Sequence, residues 1–221
     1  MKRLGVHTFA SLAIILTFGM VLVWIGYGQR STEAEGQWFK LSRAATESIR
    51  KKNYKSAEEA LSRALKLAEQ SDPNGLRLPS TLNNLALVYR FESKYDRAEA
   101  LYNKSLPLFE TKYGPRSSEV AAVLQNVGIC YREQGRFSEA ETAILRALNI
   151  LTANLGPGAL KTAYVQQELG RLYLRMHRYA EARDLLEKAL ATQARRFATN
   201  SPELISLRAD HAAALRLAPH R

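Results

Sequence analysis

An aromatic residue followed three places later by alanine recurs through this chain at a nearly fixed interval. The aromatics are Tyr54, Tyr95, Phe137 and Tyr179, spaced by 41, 42 and 42 residues, and the alanines are Ala57, Ala98, Ala140 and Ala182. Self-similarity at such a period marks stacked units that bury their apolar faces against one another. The four runs read NYKSAEEALSRAL, KYDRAEALYNKSL, RFSEAETAILRAL and RYAEARDLLEKAL. Each carries apolar or small residues at i, i+3, i+4 and i+7, as in Ala140, Ala143, Ile144 and Ala147, which is one face of an α-helix.

A second helical pattern precedes three of these runs. Leu82, Leu85, Ala86 and Tyr89 share a face, as do Leu124, Val127, Gly128 and Tyr131, and then Gln166, Leu169, Gly170 and Tyr173. The third member is always small. Glycine inside a helix costs about 1 kcal/mol relative to alanine, so its place here points to a neighbouring helix at close range. The first repeat holds its face weakly, with Leu41, Ala44, Ala45 and Ser48. Short turns such as Ser93-Lys94 and His177-Arg178 force the two helices antiparallel. Breakers separate the units: Asp72-Pro73-Asn74-Gly75, Gly114-Pro115, Gly156-Pro157 and Asn200-Ser201-Pro202. The expected units are repeats over about 37–75, 76–116, 117–158 and 159–200, with a capping helix over 202–217 in which Arg208 and His211 replace apolar residues. Pro107 removes one backbone donor and predicts a local kink.

A small residue, a tyrosine and then aromatic-x-x-Ala across a helix–turn–helix resembles the tetratricopeptide repeat. TLNNLALVY, EAETAILRALNIL and NLGP are similar to its kinesin-light-chain-like variety, although the loops GPRSSE and GPGALK lack the histidine usual there. The resemblance covers residues 37–217. It implies an all-α fold: a right-handed α-solenoid whose first helices line a concave groove that binds other proteins.

Before the repeats, Leu4 to Gln29 contains no charged residue. A helix over Leu4–Tyr27 would be about 36 Å long, enough for a hydrocarbon core of ~30 Å. Residues 1–30 are therefore expected to form one transmembrane signal-anchor, followed by a linker over 31–36. Lys2 and Arg3 place the N-terminus in the cytoplasm and the repeats on the periplasmic or extracytoplasmic side. A cleaved signal leading to secretion is the alternative.

The formal net charge is +11. Lys2, Arg3 and Arg30 account for three of the 32 basic residues, which leaves 29 against 21 acids in residues 31–221. That surplus favours anionic partners. No phosphate-cradling glycine loop, metal-ligand spacing or nucleic-acid motif is present, and the four histidines are scattered. Cys130, the only cysteine, sits in a helical pattern as a small apolar residue. Asn103-Lys104-Ser105 matches a glycosylation acceptor but falls inside a helix. No enzyme, cofactor or metal site is expected.

The face of the first helices opposite the core carries the binding expectation. It holds an amide at Asn83, Gln125 and Gln167, and a second amide at Asn84 and Asn126 that becomes Glu168. Arg90 and Arg132 follow at the same period, with Arg171 and Arg175 in the fourth repeat. The resemblance implies that such asparagines hold a bound peptide's backbone. Amides donate and accept, and arginines suit acidic side chains, so the expected partner is an extended peptide or helix carrying acidic residues. The alternative is a basic protein that binds anionic surfaces or polymers by charge.

Overall fold

The computed structural model describes residues 33–218. Among these every regular element is an α-helix, and there are nine: α1 over 33–50, α2 Tyr54–Ser71, α3 Arg77–Phe91, α4 Tyr95–Tyr113, α5 Ser118–Glu133, α6 Phe137–Leu155, α7 Leu160–Arg175, α8 Tyr179–Gln193 and α9 Pro202–Leu217. The transmembrane segment expected over 1–30 lies outside the described residues, as does the cleavage alternative. No described helix is long and apolar enough to cross a membrane. The single-pass topology, with a cytoplasmic N-terminus and extracytoplasmic repeats, is corrected accordingly. The described helices bury one apolar stripe each and keep charged residues on the rest of their surface, which a hydrocarbon surrounding would penalise. Residues 33–36, read as linker, are already helical.

The chain divides into two compact units, with the boundary after Arg77. In the first, α2 buries the stripe Ala57, Leu61, Ala64 and Ala68. Asn53 caps α2 by accepting from the Ser56 N–H at 3.2 Å, and the Ser48 hydroxyl reaches Ser56 from α1 at 3.3 Å.

In the second unit α5 packs on α6 and α7 on α8, α9 packs on α8 and α7, and the buried Ser105 hydroxyl of α4 donates to the Pro79 carbonyl of α3 at 2.8 Å. In α5 and α7 the small residue lies where the second helix packs closely against it. A Cβ on Gly128 would lie 2.3 Å from Ile144 Cγ1, and one on Gly170 would lie 2.7 Å from Leu186 Cγ. Ala86, Ala98, Ala140 and Ala182 are fully buried on the same faces. The helix α4 runs from Tyr95 to Tyr113 with Pro107 inside it and exposed.

The turn inside each repeat has one geometry. Lys52, Ser93, Gly135 and His177 have φ of 57°, 59°, 79° and 60°. The next residue donates back to the carbonyl five positions earlier, as Arg136 does to Tyr131 at 2.9 Å and Arg178 does to Tyr173 at 2.9 Å. This is the helix-ending bond pattern that favours glycine. Three of the four sites carry a side chain there.

Repeats of the second unit are also clamped by polar contacts. Arg136 stacks on the Tyr131 ring at 4.3 Å and pairs with Glu99 of the preceding repeat at 2.5 Å. Arg178 stacks on Tyr173 at 3.9 Å and pairs with Glu141 at 2.6 Å. Both tyrosine hydroxyls donate to the same carboxylates. Burial and the bond to Glu141 together push the Tyr173 phenol up to about 12.

Ser93→Gly is expected to raise the stability of the protein by about 0.5–1 kcal/mol, and Gly135→Ala to lower it by about 1 kcal/mol, measured by urea unfolding. Gly128→Val is expected to cost about 1–3 kcal/mol by overpacking Ile144.

Candidate peptide-binding face

The first helices of the second unit lie side by side. α5 touches α7, and α7 touches α9 directly. Asn126 of α5 donates its amide to Asn83 Oδ1 of α3 at 3.1 Å, a contact that ties α3 to α5. Their faces away from the second helices therefore form one surface, on which the expected residues have specific partners.

Three of the amides come together. Asn83 accepts from Asn126 and donates to Asn84 Oδ1 at 3.4 Å, so one short chain of side-chain hydrogen bonds crosses from α5 to α3. All three are half-buried, as is Gln125. Gln167 is buried instead, and accepts from the wholly buried Gln193 of α8 at 3.0 Å. It belongs to the packing between helices rather than to the surface. The reason is local: α7 buries Gln166, Gln167 and Glu168 in succession, where α5 leaves Gln125 and Asn126 half-exposed.

Arg90 and Arg132 face carboxylates of the next first helix along the stack. Arg90 pairs with Glu133 at 2.6 Å and Arg132 with Glu168 at 2.7 Å. Glu168 also accepts from Arg171 at 2.8 Å, and Arg171 continues to Asp210 at 2.6 Å and to the Ser206 hydroxyl at 2.9 Å. A row of ion pairs thus runs across α3, α5, α7 and α9. Burial opposes the Arg171 charge, but Glu168 and Asp210 outweigh it and hold its pKa above the ordinary value. Arg175 is exposed, with its guanidinium 5.9 Å from the Phe137 ring.

Glu133, Glu168, Asp210 and Ser206 are the members of this face that sequence reasoning did not assign to it as partners. A signal was present. Each acid follows its arginine by 36 to 43 residues, close to one period.

The remaining chemistry-bearing residues do not converge. Among the described residues no group of His, Cys, Asp and Glu is placed to hold a metal. Cys130 is buried, and burial pushes its thiol up, away from the thiolate a nucleophile requires. His177 is exposed and its Nδ1 lies 2.6 Å from the Tyr179 hydroxyl.

With this geometry in view, comparisons with known proteins agree on the repeat. The family model described as tetratricopeptide repeat matches residues 41–111, 77–153 and 119–195. BtubC (BKLC) from P. vanneervenii superposes with a TM-score of 0.69 at 20% identity, covering 87% of this chain and 82% of that one. A putative kinesin light chain of Podosopora anserina, with nearly identical TPR-like repeats, gives 0.65 at 18% identity over 85% and 87%. Pseudomonas aeruginosa PilF gives 0.58 at 21% identity over 86% and 80%. At these identities the likeness is one of fold. No curated protein matches the sequence.

The Arg132–Glu168 pair is mostly shielded, with 15% and 12% side-chain exposure. A double-mutant cycle with Arg132→Met and Glu168→Leu is expected to give a coupling of about 1–3 kcal/mol that falls little with added salt.

Proposed function

Because the chain belongs to the tetratricopeptide-repeat family, we propose that it is a non-catalytic protein-interaction scaffold that holds an extended peptide on the first-helix face of α3, α5 and α7. The observation that carries this reading is the continuous polar row on that face. Asn84, Asn126 and Gln125 are half-buried amides set among Leu87 and Ile129, which are also half-buried. An extended backbone offers donors and acceptors at regular intervals, and an amide side chain can meet either kind. The flanking aliphatic groups exclude water from those bonds.

The ion pairs refine the expected preference for acidic ligands. Arg90, Arg132 and Arg171 are each matched by a carboxylate, so the face is far less positive than its arginines alone imply. Charge then selects weakly along most of the row. Arg175, exposed at its end, is the cation best placed to meet an acidic side chain of the ligand. Binding should depend on individual amides and only modestly on ionic strength.

The test is isothermal titration with a peptide selected from a random library against the full chain, at two salt concentrations. Asn84→Ala and Asn126→Ala are each expected to weaken binding by about 0.5–1.5 kcal/mol at both. Unchanged affinity in both variants, with a steep loss in high salt, would instead show binding by overall charge.

A further inference from the structure

We propose that the outer face of α9 receives an amphipathic, acidic helix from a partner polypeptide, seated where a second helix sits in each preceding repeat of its unit. The argument is one of register. In α3 the residues turned to the second helix are Pro79, Leu82, Ala86 and Tyr89; in α5 they are Ala121, Leu124, Gly128 and Tyr131; in α7 they are Ala163, Gln166, Gly170 and Tyr173. All are buried except Tyr89 and Tyr131, which are partly buried against the core. One period further on, α9 carries Ile205, Arg208, Ala212 and Leu215.

These four are exposed, Ile205 at 56% and Leu215 at 48%. The opposite side of α9 is settled: Leu204, Leu207 and Ala214 are buried. So α9 docks as every first helix docks, and leaves open the stripe that its counterparts cover. Ala212 holds the small-residue place, at which Ile144 meets Gly128 and Leu186 meets Gly170. A helix with a large aliphatic residue flanked by alanines, the pattern of α6 and α8, fits that stripe.

Charge selects between occupants. Arg208 stands on the stripe, tethered to the Thr199 carbonyl at 2.8 Å; Arg216, four residues after Ala212 on the same helix, is exposed, as are Arg195 and Arg196 in the segment between α8 and α9. Glu203 is the acid of the first turn, and Asp210 is taken up by Arg171. A second copy docked here would set arginines against arginines, whereas an acidic helix neutralises them.

The probe is a synthetic peptide with the sequence Tyr179–Gln193 carrying Gln193→Glu. Gln193 packs beside Gln167, one place after the counterpart of Arg208, so the new carboxylate falls near that guanidinium. Fluorescence anisotropy of the labelled peptide with the full chain is expected to show saturable binding. Ala212→Arg should weaken it about tenfold or more while leaving the melting temperature unchanged, because Ala212 is exposed. Arg208→Glu should weaken the acidic peptide and restore binding of a peptide bearing Arg at the same place. Absence of binding, or equal binding to Ala212→Arg, would overturn the proposal. So would sedimentation showing a dimer that Ala212→Arg dissolves, since the face would then belong to a second copy.

Discussion

In the third and fourth repeats the second helix approaches the first so closely that the glycine between them has no room for a larger side chain. Gly128 against Ile144 and Gly170 against Leu186 set this distance. Once it is fixed, each first helix has one side committed to its own partner and another to its neighbours in the stack. The side left over is narrow, polar and repeated at each period. The candidate binding face is therefore a consequence of the packing rather than an addition to it.

That face also holds the stack together. Arg132 and Arg171 converge on Glu168, whose carboxylate is nearly buried and hydrogen-bonded from two helices. Burying the carboxylate alone would be costly, and two guanidinium partners offset that cost. A second row, Tyr131–Arg136–Glu99 and Tyr173–Arg178–Glu141, does the same work at the turns. Between the two rows, the apolar stripes interlock. A ligand on the first-helix face would thus lie against a surface already ordered by inter-repeat contacts, which lowers the entropy lost on binding.

The fold was legible because its determinants are local and repeated. Aromatic-x-x-Ala at a 42-residue spacing, small residues at Ala86, Gly128 and Gly170, and breakers at Gly114 and Gly156 each act within a few residues of their own position. The site was legible only in part. Asn83, Asn84 and Asn126 fall on one surface and touch, but a helical projection of one repeat cannot show that Arg132 is answered by Glu168 on the next. Gln167 was misleading for the same reason: its burial depends on Gln193, 26 residues away on another helix. The left-handed turn residues were hidden too, since only Gly135 among Lys52, Ser93, Gly135 and His177 announces its conformation. The apolar N-terminal stretch shows the opposite failure, in which hydropathy suggested a membrane topology that no described helix supports.

The central claim is that partners are held by the first-helix face of α3, α5 and α7. Site-specific photo-crosslinking tests it most directly. A benzophenone side chain is placed at Ala122 on that face, which is exposed, or at Thr142 and Lys188 on α6 and α8, which are exposed on the second helices. The account predicts that a bound library-selected peptide crosslinks from position 122 and not from 142 or 188. Crosslinking from 142 or 188 with none from 122 would contradict it.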